Sequence, residues 1–129
     1  MTELIKIAVV FGSGGFGAVC RYLIEMAMRH SMTGMATWVI NSIGCFLIGI
    51  FAGWLVNTHC SWSANGKEFF LLASMTGFCG GFSTFSSFTL DCVHYFERGH
   101  LEIWLIFAVM TVFVGLFGCA LGYWLGRHI

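Results

Sequence analysis

Four apolar stretches, each long enough to cross a bilayer, take up most of this chain: about residues 4–28, 35–56, 68–95 and 101–124. A hydrocarbon core about 30 Å thick is crossed by roughly 20 apolar residues in α-helix. Inside it every backbone amide and carbonyl must be paired within the protein, so an apolar run of this length has to be helical. The polar segments between the runs are short, 29–34, 57–67 and 97–100. Only 9% of the residues are charged, where a soluble domain carries about 25%, so the chain cannot cover a water-facing surface. The expected fold is all-α and integral to the membrane, residues 1–129 forming a single four-helix transmembrane domain. The first run has no basic leader and no small-x-small cleavage site, and is expected to stay as a mature helix. The formal net charge is zero and no basic run offers itself to nucleic acid. A four-helix unit this small has little interior of its own, which makes an oligomer the expected state.

The third run carries an unusual middle. Residues 77–89 read Gly-Phe-Cys-Gly-Gly-Phe-Ser-Thr-Phe-Ser-Ser-Phe-Thr. Gly80 and Gly81 are poor at holding a helix. The hydroxyls of Ser83, Thr84, Ser86, Ser87 and Thr89 follow at once, and Phe85 and Phe88, three apart, share a helical face. Irregular backbone at membrane depth is tolerated only where protein or a water-filled cavity covers it. The third helix is therefore expected to break at mid-membrane, and the break to be functional.

The other runs supply small and polar faces. Gly12, Gly14, Gly15 and Gly17 in the first run permit close helix contact; with no strand before them and no lysine after, they are not a phosphate loop. Arg21 is expected to be structural, by reaching the interface, by pairing with Glu25 or by holding a neighbouring helix end. Thr37, Asn41, Cys45, Gly49 and Gly53 recur at steps of four along one face of the second run. Asn41 there either makes an interhelical hydrogen bond or aims its amide into a pathway. Ala108, Thr111, Gly115, Gly118 and Gly122 form a similar face on the fourth run. Asp91 and His94 near the end of the third read as a wetted carboxylate at a mouth, paired with a basic group, or as a proton relay. Trp62, Trp104 and Trp124 suit interfacial anchoring. Cys20, Cys45, Cys79, Cys92 and Cys119 lie within apolar runs and read as small packing residues. Cys60 and His59 fall in the second loop, and no Cys-x-x-C or zinc-type Cys/His spacing occurs.

Basic residues are balanced across the membrane: Lys6, Lys67 and Arg127 on one side, Arg29 and Arg98, with Arg21 if it reaches the interface, on the other. The excess of Lys and Arg that orients membrane proteins is missing, so the chain can insert both ways. Two copies of opposite orientation would form an antiparallel, dual-topology homodimer in which the broken third helices meet at the midplane. The interior offers few carboxylates but many neutral donors, on Asn41, Ser83, Thr84, Ser86, Ser87 and Thr111, together with phenylalanine rings whose edges are partially positive. Such groups can replace the shell of a small hydrated anion. Carbonyls freed at the break suit a single Na⁺.

The 77–88 string closely resembles the third-helix signature of the CrcB/Fluc family of fluoride channels. So do Gly-x-x-x-Arg at Gly17–Arg21, Asn41-x-x-Gly44 and the Glu97-Arg98-Gly99 turn, and the resemblance covers essentially the whole chain. It implies a dual-topology homodimer in the cell inner (plasma) membrane that passes F⁻ passively out of the cytoplasm, with fluoride, membrane lipid and a second copy as its partners. By that resemblance Asn41, Phe85, Phe88, Thr84, Ser87 and Thr111 line the fluoride pore. The carbonyls of Gly80 and Ser83 hold a structural Na⁺ at the dimer centre. Asp91 matches a position often occupied by glutamate. The family's fourth-helix tyrosine and second hydroxyl fall on Phe107 and Gly115, a departure that leaves Thr111 alone on that stretch of the polar track. The competing readings are a small multidrug-type proton-coupled exporter, which needs an embedded glutamate where the first run has only Glu25 near its end, a disulfide oxidoreductase, which needs paired loop cysteines, and a purely structural subunit.

Overall fold

The computed structural model describes residues 1–57 and 62–129; His59 and Cys60 of the second loop lie outside the described residues. Among the described residues four helices are long and apolar enough to cross a membrane: α1 (Glu3–Ala27), α2 (Met35–Leu55), a composite third span (Ala64–Glu97) and α6 (Leu101–His128). The protein is thus a multi-pass, all-helical membrane protein, with no strand among the described residues. The third span consists of α3 (Ala64–Phe70), a π-helical stretch (Leu71–Cys79), α4 (Gly80–Phe82) and, after two extended residues, α5 (Phe85–Glu97).

The third span starts earlier than its apolar run, because Ser63 caps it: the Ser63 side chain accepts from the Gly66 amide at 3.1 Å. Part of the polar second loop is therefore the first turn of a helix. Lys6 bridges Glu68 at 2.6 Å and Glu3 at 2.9 Å, tying the starts of α1 and α3 together. At the opposite end Gly34 and Gly99 turn the chain with φ of 78° and 74°, the left-handed region where a Cβ is costly. There the Tyr95 hydroxyl donates to the Thr33 carbonyl, and Arg98 donates to the Thr33 hydroxyl at 3.1 Å.

Helices in lipid gain little from hiding apolar surface from one another, so they associate by close packing. The glycine faces of α2 and α6 meet for this reason. A Cβ on Gly49 would overlap the Cys119 carbonyl, and one on Gly53 the Tyr123 carbonyl. From the other side, Gly122 bears on the Phe46 carbonyl and Gly126 on that of Ile50. In the same way α1 lies on the third span: Gly17 bears on the Phe78 carbonyl, Gly77 on the Ser13 side chain, and Gly81 on the Gly14 carbonyl. The expected packing role of the first glycine cluster holds for Gly14 and Gly17, whereas Gly12 and Gly15 face open space.

The break is not at Gly80 and Gly81. Both are helical, and Gly81 is small because α1 touches it. The chain leaves helical geometry at Ser83 (ψ 157°) and Thr84 (φ −147°, ψ 115°). Thr84 then starts α5 as its N-cap, its hydroxyl accepting from the Ser87 amide at 3.1 Å. Ser and Thr favour such a position because the side-chain oxygen replaces a missing backbone acceptor.

Substituting Gly122 by Val puts a Cβ with its two methyl groups where the Phe46 carbonyl and the Ile50 amide now lie, and overpacking of this kind costs about 1–3 kcal/mol. We expect Gly122→Val to lower the temperature at which the detergent-solubilised protein loses its monodisperse chromatographic peak, while Gly12→Ala, which meets nothing within 4 Å, leaves it unchanged.

Candidate functional site

The site grows from the break. Breaking a helix strands backbone amides on one side and carbonyls on the other, and in hydrocarbon each stranded group is costly. Asn41, on the small-residue face of α2, pairs with both polar groups of Thr84. Its Nδ2 donates to the Thr84 carbonyl at 3.0 Å, and its Oδ1 accepts from the Thr84 amide at 2.8 Å. An amide side chain is one of the few groups with a donor and an acceptor spaced to do this. Gly44, one turn further along α2, lets the third span come close: a Cβ there would lie 3.0 Å from Ser83 Cβ.

This pairing redirects the carbonyls. The amide that would close the helical bond onto the Gly80 carbonyl is that of Thr84, now turned to Asn41. The one that would close onto the Ser83 carbonyl is that of Ser87, now held by the Thr84 hydroxyl. Gly80 and Ser83 thus both lack their helical donors, as a carbonyl site for a small hard cation requires.

Beside the break a cavity of about 400 Å³ opens between α2, α5 and α6. Asn41, Thr84, Phe85, Phe88 and Thr111 all line it, along with Ser83, Cys45, Gly115 and Cys119. Ser87 is not in its lining; it sits behind, accepting from the Thr84 hydroxyl at 3.1 Å. The Ser86 and Thr84 hydroxyls are also 3.1 Å apart. Thr111 donates to the Phe107 carbonyl of its own helix at 2.6 Å, so it offers the cavity its oxygen lone pairs while that bond lasts.

Phe85 is 76% exposed. Its ring centroid is 5.6 Å from that of Phe88, Phe88 is 5.6 Å from Phe107, and Phe107 is 5.6 Å from Tyr95. The rings form a file from the break to the turn at Thr33. Phe107, which interrupts a polar track in sequence, is a member of this file. Gly115 leaves its space to Cys45, whose Sγ is 3.2 Å from where a Cβ would stand.

Three other candidates lie outside the lining of this cavity. Asp91 has no basic partner among the described residues; its Oδ2 accepts from the Thr37 hydroxyl at 2.6 Å, joining α5 to α2. Arg21 forms no ion pair with Glu25, and its Nε is buried with no hydrogen-bond partner among the described residues. Trp62 packs its ring against Trp54 and Phe70, both centroids at 5.3 Å. Cys45 and Cys119 were legible only as packing residues, since their spacing in sequence gives no sign of a shared cavity.

The fold and site define a small multi-pass membrane protein with a helix broken at mid-span beside a cavity lined by neutral polar groups and aromatic rings. Residues 7–123 match the family model described as CrcB-like protein, Camphor Resistance (CrcB), and the chain belongs to that family. Among its relatives is a protein named fluoride-specific ion channel FluC from Prosthecochloris aestuarii, 37% identical over 130 residues that cover 98% of each chain. Proteins of the same name from Azobacteroides pseudotrichonymphae and Escherichia coli are each 35% identical; the matches cover 93% and 90% of this chain and 94% and 89% of theirs.

Replacing Asn41 by Leu leaves the Thr84 amide and carbonyl unpaired, at about 1–3 kcal/mol for each buried group. We expect Asn41→Leu to speed hydrogen exchange at the amides of Thr84 and of the first turn of α5, with α1 and α6 little affected. Asn41→Asp, which keeps the acceptor and loses the donor, should fall between it and the natural chain.

Proposed function

We propose that this chain is a fluoride-selective ion channel, not an enzyme, that lets F⁻ leave the cytoplasm passively and so lowers its concentration there. The observation that carries this is the convergence of Asn41, Thr84, Phe85, Phe88 and Thr111 on one cavity at the broken helix, in a chain whose close relatives are named for fluoride conduction. A strongly hydrated anion entering the membrane must exchange its water for donors. Here the second Nδ2 proton of Asn41, the hydroxyls about the Thr84 cap and the positive edges of Phe85 and Phe88 take that part. Ser87 acts through the cap by orienting the Thr84 hydroxyl. Asp91, bound to Thr37, sits toward the end of α5 that leads to water.

Two copies in antiparallel orientation make the working unit. The isolated chain leaves Thr76, Gly80, Phe85 and Ser86 exposed around the middle of the third span, polar backbone and hydroxyls that lipid cannot satisfy. A second copy laid against the same face covers them. The near-balance of basic residues supports insertion in both directions, and the cell inner (plasma) membrane is the setting in which such a channel lets F⁻ leave the cytoplasm. The Gly80 and Ser83 carbonyls of both copies would hold a Na⁺ at the dimer centre. Na⁺ held there would supply a fixed positive charge beside the break.

A proton-coupled exporter is the competing reading. It fits less well, because Glu25 lies in the last turn of α1 and the cavity contains no carboxylate.

Phe85→Ile and Phe88→Ile each remove a positive ring edge while keeping apolar bulk. We expect fluoride release from liposomes to fall to the level of empty vesicles in at least one of them, with dimer mass unchanged by light scattering. Full flux in both variants would remove the pore assignment. Asn41→Asp sets a negative charge on the cavity wall; two like charges brought to about 4 Å repel by about 4 kcal/mol at an effective dielectric of 20, so it should also stop release.

A further inference from the structure

Two groups in the cavity wall have no part in anion passage: Cys45 on α2 and Cys119 on α6. Both are free thiols. The helices that carry them touch backbone to backbone at this level. A Cβ on Gly49, one turn beyond Cys45, would overlap the Cys119 carbonyl. Gly115, one turn before Cys119, contributes no side chain, and its missing Cβ would stand 3.2 Å from Cys45 Sγ. The absence of a side chain at 115 is what leaves the Cys45 sulfur open to the cavity. The two thiols thus come from facing helices, across a tight contact, onto one space of about 400 Å³. Of the other membrane cysteines, Cys79 is 2% exposed, and neither it nor Cys20 or Cys92 lines the cavity.

We propose that Cys45 and Cys119 form a two-thiolate clamp for a soft, thiophilic metal ion, and that an ion held there closes the cavity to anions. Soft metals of the Cu(I) and Hg(II) kind select thiolate ligands and accept two of them. With Hg²⁺ the step is Hg²⁺ + 2 RSH → Hg(SR)₂ + 2 H⁺. Two S–H bonds break, two Hg–S bonds form, both protons leave to water, and nothing is oxidised or reduced. The Hg(SR)₂ unit carries no net charge, which suits a medium where an isolated charge is costly. The closure half of the proposal rests on the fluoride reading above, and the clamp half does not.

The test uses HgCl₂ on a chain in which Cys20, Cys60, Cys79 and Cys92 are replaced by Ala, leaving only the pair. Intact mass should give one mercury per chain, and one equivalent should abolish the reaction of both thiols with a chromogenic disulfide. Adding Cys45→Ser or Cys119→Ser should weaken binding about 100-fold or more, since the second bond is then no longer intramolecular. Two thiols that still react after one equivalent, or single-thiol chains that bind as tightly, would overturn the clamp. If the four-fold variant does not fold, the natural chain is treated with one equivalent, alkylated and mapped by mass spectrometry. Joint protection of Cys45 and Cys119 supports the clamp; protection elsewhere refutes it. In liposomes, HgCl₂ should stop fluoride release from the natural chain and a dithiol should restore it. Undiminished release with both thiols protected would refute closure. A chain that releases no fluoride even before mercury contradicts the channel reading, and the thiol count still decides the clamp.

Discussion

The pair of hydrogen bonds between Asn41 and the backbone of Thr84 is what permits a helix to break in hydrocarbon. Without it the break would strand an amide and a carbonyl where no water can reach them. With it, one side chain supplies a donor and an acceptor, and the hydroxyl of Thr84 supplies another acceptor for the Ser87 amide. The backbone groups left over, the carbonyls of Gly80 and Ser83, are those the cation reading needs. The break is thus not a defect patched by its neighbours; its satisfaction determines which polar atoms remain available.

For Asn41 to reach Thr84, α2 must lie close to the third span, and for the cavity to have a second wall α6 must lie close to α2. Glycine makes both approaches possible. Gly44 admits Ser83, and Gly49, Gly53, Gly122 and Gly126 bring α2 and α6 to backbone contact. On the far side α1 is seated on the π-helical stretch and α4 through Gly14, Gly17, Gly77 and Gly81. The extra residue per turn of a π-helix shifts side-chain phase, and such stretches recur at functional positions; here one immediately precedes the break. Past Thr84, α5 is attached mainly through the ring file from Phe85 to Tyr95 and through Asp91 to Thr37.

The four spans, the small-residue faces and the polar break were legible in the sequence because each rests on local chemistry: apolar length, glycine spacing, hydroxyl density. Asn41 was legible as a group that must be paired, though its partner was not. The break lies within the 77–89 string that the sequence singles out, at Ser83 and Thr84 and not at its glycine pair. A glycine pair weakens a helix and also permits contact, and only the presence of Gly14 opposite Gly81 decides between them. The start at Ala64 was hidden because Ser63 and Gly66 look like loop residues until the cap forms. For Asp91 the sequence leaves a wetted mouth, a basic partner and a proton relay all open, and only the fold brings Thr37 to it. Phe107 read as a gap in a polar track, when the ring spacing makes it a link in an aromatic file. Cys45 and Cys119 lie far apart in the chain, so nothing short of the α2–α6 contact could bring them to one cavity.

The central claim is that this cavity and break pass fluoride and little else. It is tested most directly by reconstituting the purified natural chain in liposomes loaded with equal fluoride and chloride, and following both ions with selective electrodes after a potassium ionophore dissipates the membrane potential. A fluoride-selective channel releases F⁻ rapidly and retains Cl⁻. Retention of both ions by protein that is folded and dimeric, or release of both at similar rates, would contradict it.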